Sequence, residues 1–248
     1  MGLFDAQLEE IKQYLIQRQK QGKVTRFASD GPPDWPSTIN KNLVMGADTA
    51  VELGDPRQAS VSFLVWNDTG ETKEKEPGQI TIIGPDLPEI MEKKVSFGKI
   101  VVVNGQGFDE DNSYERYQSL DQARYAIRLD GYMMRSASQY QREWSRVSKD
   151  ALQKGFSFHV MGQALIAELL KNEFVSSVEV IFITSGKEDV LELKAVSEEV
   201  VTRIGAMNKM ADQMHVEDCG VCEYSDVCSD VTELQDMRNA NRKKEGYA

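Results

Sequence analysis

Three cysteines and one histidine form the most reactive cluster of residue types in this sequence. All three cysteines of the 248-residue chain, Cys219, Cys222 and Cys228, fall within ten residues, and His215, one of two histidines, precedes them. The spacing is H-x3-C-x2-C-x5-C. A C-x2-C pair can bring two thiolates onto one metal ion or cluster, and Gly220 allows the sharp turn that this needs. The pattern therefore predicts a metal or iron–sulfur site.

The metal in this site stays open at the level of sequence. Three cysteines with His215 complete a tetrahedral set that suits structural zinc, whereas three cysteines alone can hold three corners of a [4Fe–4S] cluster. Between positions 212 and 236 there are eight acidic residues and no Lys or Arg. Added negative charge lowers the potential of a cluster and favours holding a cation. A thiol redox or metal-delivery role is the third alternative, which the same acids oppose by disfavouring the thiolate.

A second group of candidates is basic and surrounds a tryptophan. Arg142, Trp144, Arg146 and Lys149 lie close together in a chain of net charge −11. One interpretation is a solvated surface with ion pairs. The other is an anion site, because guanidinium groups suit phosphate geometry and the face of a Trp can stack on a base. A coenzyme with a diphosphate would fit such a site.

The surrounding pattern predicts the elements that would position these residues. Residues 3–20 have the spacing of an amphipathic helix, and 28–47 carry three prolines and two glycines, so we expect 1–47 to be an appendage. Strands are predicted at Thr49–Leu53, Ser60–Trp66, Gln79–Ile83, Gly98–Asn104, Glu143–Val147 and Ser177–Thr184. Helices are predicted at Tyr114–Gln139, with Arg124, Arg128 and Arg135 on one face, then from Ser148 to near Gly155, at Phe158–Lys171 and from Lys187 to about Asp212.

Composition and the N-terminal pattern limit the class of protein. No apolar run approaches the roughly 18 residues needed to cross a membrane, and the first residues lack the pattern of a signal peptide. A net charge of −11 argues against a general nucleic-acid binder, which needs a cationic face. We expect a soluble, cytoplasmic protein with reduced thiols and no membrane or nucleic-acid partner.

Five motifs in register carry a family resemblance. They are V-E-L-G-D-P-R at 51–57, I-I-G-P-D at 82–86, F-G-K-I-V-V-V at 97–103, W-S-R-V-S-K-D-A-L-Q-K-G at 144–155 and the terminal C-x2-C. Their order and approximate spacing, from about residue 48 to 228, resemble acetyl-CoA synthase, the β subunit of the CO dehydrogenase/acetyl-CoA synthase complex. The resemblance implies an α+β fold at 48–212, with a mixed sheet packed with helices like the middle domain of that family. A small Cys-rich metal-binding segment at 213–248 would follow.

The resemblance also implies roles for the candidate residues. Cys219 and Cys222 match the cysteine pair that holds a [4Fe–4S] cluster in the family, and Cys222 matches the thiolate that also bridges to nickel. Cys228 matches the third cluster ligand, with a shorter gap here. The family's coenzyme A region falls on Trp144 and Arg146, with Arg142 and Lys149 nearby.

The departures from the family shape the functional expectation. The sequence has neither a fourth cluster cysteine nor the C-G-C motif that holds the second nickel. We therefore expect a truncated homologue in CO/methyl-corrinoid/CoA one-carbon metabolism, acting as a subunit or accessory rather than a complete acyltransferase. Its expected partners are CO dehydrogenase/acetyl-CoA synthase-type or corrinoid methyl-transfer proteins. We expect it to function under anaerobic conditions. The alternative is a structural Cys3His zinc module for protein contact, without catalysis.

Overall fold

A computed structural model describes residues 2–37, 43–69, 77–109, 112–138 and 142–216, without the side chains of 136–138 and 210–216. Six α-helices are described, at α1 (Asp5–Lys20), α2 (Ser113–Ala126), α3 (Lys149–Gln153), α4 (Phe158–Leu169), α5 (Lys187–Leu191) and α6 (Lys194–Val216). Nine strands are described, at β1 (Val24–Ser29), β2 (Thr49–Leu53), β3 (Ser60–Asp68), β4 (Gly78–Ile83), β5 (Lys94–Val95), β6 (Phe97–Gly105), β7 (Tyr132–Ser138), β8 (Arg142–Ser148) and β9 (Val175–Ile183). A 3₁₀ helix spans Leu87–Glu89. The predicted α+β class, with mixed sheets packed by helices, is confirmed.

The core is built on a five-stranded sheet in the order β1-β4-β9-β6-β3. Its pairs alternate between antiparallel and parallel, beginning with antiparallel β1–β4. The central strands β6 and β9 are rich in Val and Ile and are buried along most of their length. Such nearly continuous apolar runs are typical of strands that are covered on both faces.

A smaller sheet carries the basic candidate residues. Its order is β5-β2-β8-β7, with β5 parallel to β2 and the other pairs antiparallel. It meets the larger sheet where β8 lies near β3. Ser148 closes β8 and caps α3, because its hydroxyl accepts a hydrogen bond from Ala151 N. The predicted strand and the predicted short helix at this point are confirmed.

The first 29 residues belong to the main body, and β1 was not predicted. β1 pairs along its whole length with β4, so it is an edge strand of the large sheet rather than part of an arm. The predicted helix at 3–20 is confirmed as α1, which is tied to α5 by the buried Arg18, whose guanidinium lies 3.1 Å from the Asp189 carboxylate. Tyr14 also donates a 2.9 Å hydrogen bond to the Asp189 carbonyl.

The predicted long helix at Tyr114–Gln139 is wrong. α2 ends at Ala126, because Ile127 adopts an extended backbone with ψ of 130°. Gly131, at φ +75°, then turns the chain into β7, which pairs with β8. Strand pairing has overridden the helical spacing, and Arg124, Arg128 and Arg135 therefore do not share a helix face.

The second half follows the prediction more closely. β9 and α4 match the predicted strand and helix within a few residues. The predicted helix from Lys187 is divided into α5 and α6. Backbone contacts place a boundary between two units after Gly205, within α6. No helix in the described ranges is both long and apolar enough to cross a membrane.

Candidate functional site

The two faces of β8 separate the candidate residues from the core. Burial alternates along the strand: Glu143, Ser145 and Val147 are buried, whereas Arg142 is exposed and Trp144 and Arg146 are half-buried. Successive side chains of a strand point to opposite faces. Three of the four predicted basic-site residues therefore lie on one outer face, and Lys149 begins α3 directly after the strand.

Trp144 is the centre of this outer face. The guanidinium carbon of Arg135 lies 4.2 Å from the centroid of the Trp144 ring, and that of Arg146 lies 5.7 Å away. Arg135 is exposed and occupies a β-bulge of β7, where the register shifts between Met134 and Ser136. Cations over an indole face are attracted by its quadrupole. The sequence placed Arg135 on a helix, so its contact with Trp144 was missed.

Arg146 is held in place by a buried carboxylate. Its Nε and Nη2 lie 2.9 and 2.8 Å from Oε1 of Glu52, which is 4% exposed, on the neighbouring β2. Lys94 lies 3.7 Å from the same carboxylate and donates a 2.8 Å hydrogen bond to Asp55, which holds the pKa of Asp55 below its usual range. The Glu52 carboxylate therefore neutralises most of the charge of Arg146, whose guanidinium also lies beside the Trp144 ring.

Arg142 and Lys149 are placed differently. Both are exposed, and their hydrogen bonds go to neutral carbonyl oxygens: Arg142 to Gln58 at 2.8 Å and Lys149 to Ala47 at 2.9 Å. A carbonyl partner orients a cation without neutralising it. Arg142, two residues before Trp144 on the same face, can therefore present positive charge to an anionic ligand there, and Lys149 can do so beyond the end of β8.

The inner face of β8 carries a buried ionic network. Glu143, 1% exposed, pairs with the fully buried Lys99 of β6. Its carboxylate also accepts hydrogen bonds from Ser62 at 3.2 Å and from Tyr132 at 3.3 Å. Burial lowers the pKa of Lys99, and the Glu143 carboxylate opposes this shift. Burial also raises the pKa of Tyr132 well above its usual value.

The predicted metal ligands fall at the edge of what the structure describes. His215 lies in the last turn of α6, but its side chain is outside the described residues, as are Cys219, Cys222 and Cys228. Within the described ranges no three His, Cys, Asp or Glu side chains come together to hold a metal ion. His159, the other histidine, packs against Phe27 with ring centroids 5.2 Å apart.

Comparison with known proteins identifies the same region. The family model described as CO dehydrogenase/acetyl-CoA synthase complex beta subunit matches residues 37–190, which include β2 to β9 and all four basic-site candidates. The chain is 28% identical over 164 residues to the carbon monoxide dehydrogenase/acetyl-CoA synthase subunit alpha of Moorella thermoacetica. It is 29% identical over 160 residues to the acetyl-CoA decarbonylase/synthase complex subunit beta of Methanopyrus kandleri, and 30% identical over 182 residues to subunit beta 1 from Methanosarcina thermophila.

These alignments cover 65%, 63% and 72% of this chain but only 21%, 32% and 36% of the respective relatives. The chain thus spans about a third or less of the length of the relatives that it matches. The family match covers more than half of this chain and contains the strand on which the outer-face residues lie. The chain belongs to the family of CO dehydrogenase/acetyl-CoA synthase complex beta subunits.

Proposed function

We propose that this protein is an acetyl-CoA synthase-type subunit or accessory of cytoplasmic one-carbon metabolism that binds coenzyme A on the outer face of β8. The observation that carries the proposal is Trp144 on that face, flanked by Arg135 and Arg146, within the matched region. The family expectation from sequence named Trp144 and Arg146 for the same ligand. The contacts of Trp144 with Arg135 and Arg146 support the proposal.

Coenzyme A combines groups that this face can bind. Its adenine can stack on an aromatic or guanidinium plane, and its diphosphate and ribose phosphate need cationic donors. Trp144 offers the aromatic face, and Arg142 and Lys149 offer charges whose hydrogen bonds, among the described residues, go to carbonyl oxygens. We expect Arg135 to leave the indole and pair with a phosphate when the base stacks there.

The test is a titration with coenzyme A, monitored through Trp144 fluorescence in a Trp35→Phe/Trp66→Phe background. We expect saturable quenching by coenzyme A and about tenfold weaker binding in Arg142→Ala. Pantetheine, which lacks the phosphates, should bind more weakly than coenzyme A. The tenfold figure corresponds to the loss of about one charge-assisted hydrogen bond. Binding that ignores Arg142→Ala and Lys149→Ala alike would contradict the proposed site.

The proposal includes an iron–sulfur site in the Cys-rich segment. Cys219, Cys222 and Cys228 would hold three irons of a [4Fe–4S] cluster, and the chemistry of a three-thiolate donor set fits that role. The fourth iron would take His215, an acid, a residue of a partner or a substrate. When bound, such a cluster supplies one-electron chemistry.

Iron and acid-labile sulfide in protein purified without oxygen test this part of the proposal. About four of each per chain, with a broad absorption band near roughly 400 nm, are expected for a thiolate-held cluster. A colourless preparation after reconstitution would contradict it. The second candidate, a Cys3His zinc module, is favoured by the complete four-ligand set in sequence. It predicts one zinc and no sulfide, with zinc lost and thermal stability lowered in His215→Ala.

Partners follow from the relatives by analogy. The curated relatives are named as subunits of acetyl-CoA decarbonylase/synthase or CO dehydrogenase/acetyl-CoA synthase systems. We infer that this protein works with a CO dehydrogenase/acetyl-CoA synthase-type or corrinoid methyl-transfer protein. Co-purification of such a protein with a tagged chain, from cells grown without oxygen, is the expected result.

A further inference from the structure

A buried charge pair lies directly behind the outer face of β8. Glu143 stands between Arg142 and Trp144 in sequence but points the opposite way, into the space between the two sheets, where it pairs with Lys99. We propose that Glu143, anchored by Lys99, is a positioning residue that sets where Trp144 and Arg142 stand and therefore how tightly they hold an anionic ligand. The ligand part of this inference rests on the proposed function.

The pair is difficult to explain by stability alone. Lys99 is fully buried on the central strand β6, and removing both charges from water costs several kcal/mol per ion before their attraction offsets it. Well-packed apolar residues of similar volume are often as stable as a buried ion pair or more so. What this ion pair adds is direction, because its carboxylate also accepts hydrogen bonds from Ser62 and Tyr132.

Glu143 makes directional contacts with three different strands. The carboxylate accepts hydrogen bonds from Ser62 of β3 and Tyr132 of β7, in addition to its pairing with Lys99 of β6. Its backbone is fixed as well: the Ser60 hydroxyl donates to the Glu143 carbonyl at 2.8 Å and lies 3.0 Å from the Glu143 amide. One residue thus joins both sheets and fixes the height and rotation of β8.

Neighbouring residues also restrict the position of Glu143. A Cβ added at Gly54, which has φ +64°, would lie 2.1 Å from the Glu143 carbonyl oxygen. Arg124, 3% exposed, donates a 3.0 Å hydrogen bond to Ser62 and lies 3.2 Å from Asp121. The network therefore contains two cations and two carboxylates, so it holds β8 without a net charge behind the ligand face.

The consequence for the outer face follows from strand geometry. Adjacent side chains of a strand leave the backbone in opposite directions, so a shift or rotation at Glu143 moves Arg142 and Trp144 on the other side. The stack of Arg135 on Trp144, at 4.2 Å, depends on that placement across the β7–β8 pair. With purely apolar packing at position 143, we expect β8 to shift more easily along its own axis than it does with the ion pair.

The test separates positioning from stability with two double variants. Lys99→Met/Glu143→Leu removes the charges and the directional contacts, whereas Lys99→Met/Glu143→Gln removes the charges but keeps an amide that Tyr132 and Ser62 can contact. We expect both to melt within a few degrees of the wild type. Coenzyme A affinity should fall about tenfold in the Leu variant and recover most of that loss in the Gln variant, as expected for one misplaced charge-assisted hydrogen bond.

A matched control removes another buried ion pair at a different place. Arg18→Met/Asp189→Asn acts on α1 and α5 and should leave coenzyme A affinity unchanged. If the Leu variant binds coenzyme A as the wild type does, Glu143 is only a structural residue and the inference is overturned. If that variant does not fold, Ser62→Ala and Tyr132→Phe take its place, because both leave the ion pair. Tyr132→Phe removes one neutral contact with Glu143, and Ser62→Ala removes another together with the hydrogen-bond acceptor of Arg124. Unchanged affinity in both of these variants would overturn the inference equally.

A readout without ligand keeps this inference apart from the proposed function. In the Trp35→Phe/Trp66→Phe background, iodide quenching of Trp144 reports its exposure directly. We expect stronger quenching in Lys99→Met/Glu143→Leu than in the wild type, and wild-type quenching in Arg18→Met/Asp189→Asn. A wild-type protein that fails to bind coenzyme A would sink the proposed function, whereas identical quenching in all variants would sink the positioning role.

Discussion

Charged side chains on the two faces of β8 differ in burial and in the partners that they contact. On the inner face, Glu143 is 1% exposed and its carboxylate is fully engaged by Lys99, Ser62 and Tyr132. On the outer face, Arg142 is exposed and its guanidinium donates to a neutral carbonyl. Two charged residues that are neighbours in sequence therefore serve different purposes. Burial with a full set of partners fixes geometry, whereas exposure with a neutral partner leaves charge for a ligand.

The largest change in stability is expected from a substitution on the inner face. Glu143→Ala leaves the Lys99 ammonium buried without its partner, so we expect a loss of about 3–5 kcal/mol in the free energy of unfolding. Arg142→Ala on the outer face should change it by less than about 0.5 kcal/mol. Urea unfolding of both variants measures the difference. Equal losses would mean that the two faces are not distinct in the way described.

A smaller effect tests the backbone contact behind Glu143. Gly54→Ala combines a strained φ of +64° with a Cβ 2.1 Å from the Glu143 carbonyl, and we expect a loss of about 2–3 kcal/mol in unfolding free energy. Gly22→Ala is the matched control, since φ is +69° but no atom lies within 4 Å of the added Cβ. It should lose about 1 kcal/mol. Similar losses in both variants would mean that the steric contact with the Glu143 carbonyl oxygen does not contribute to the loss.

Arg146 is intermediate between the two faces, because its charge has a carboxylate partner but its side chain is only half-buried. Arg146→Ala leaves Glu52, 4% exposed, with Lys94 as its remaining cationic neighbour, so we expect a loss of about 1–2 kcal/mol in unfolding free energy. Glu52→Gln/Arg146→Ala should recover part of that loss, because no buried carboxylate remains unpaired. Thermal melts of the two variants decide this. A double variant less stable than Arg146→Ala would contradict the view that Arg146 mainly neutralises Glu52.

The smallest expected effect is the contribution of one inner-face residue, Tyr132, to the pH dependence of stability. Burial raises the pKa of Tyr132 well above 10, so above pH 10 the unfolded chain loses this proton before the folded protein does. Deprotonation then favours the unfolded state, and stability falls as pH rises. Tyr132→Phe should show a shallower loss of stability between pH 9 and 11 than the wild type. An unchanged slope in denaturant unfolding at these pH values would contradict this assignment.

Local patterns predicted the part of the fold that local chemistry controls. The alternation at Glu143–Val147 identified β8, and Ser148 identified the start of α3, because strand burial and capping act over a few residues. β1 has four exposed residues in six, so no alternation marked it. Its position comes from pairing with β4, whose partner residues lie 49 to 59 positions further along the chain.

The candidate site was predicted by residue type but not by arrangement. Trp144, Arg142 and Arg146 do share one face, yet the role of Arg146 depends on Glu52, 94 residues away, and that pairing has no local signal. Arg135 was assigned to a helix because helical spacing continues past the true end of α2 at Ala126. Lys99 did carry a signal: a lysine inside the apolar run F-G-K-I-V-V-V of a buried strand needs a buried partner.

Coenzyme A binding to the protein in which Trp144 is the only tryptophan is the most direct test of the central claim. We expect saturable quenching of Trp144 by coenzyme A, with affinity reduced about tenfold in Arg142→Ala and unchanged in Arg18→Met/Asp189→Asn. No saturable change for the wild-type face at millimolar coenzyme A would contradict the claim. The outer face would then be a charged surface held in place for a different partner.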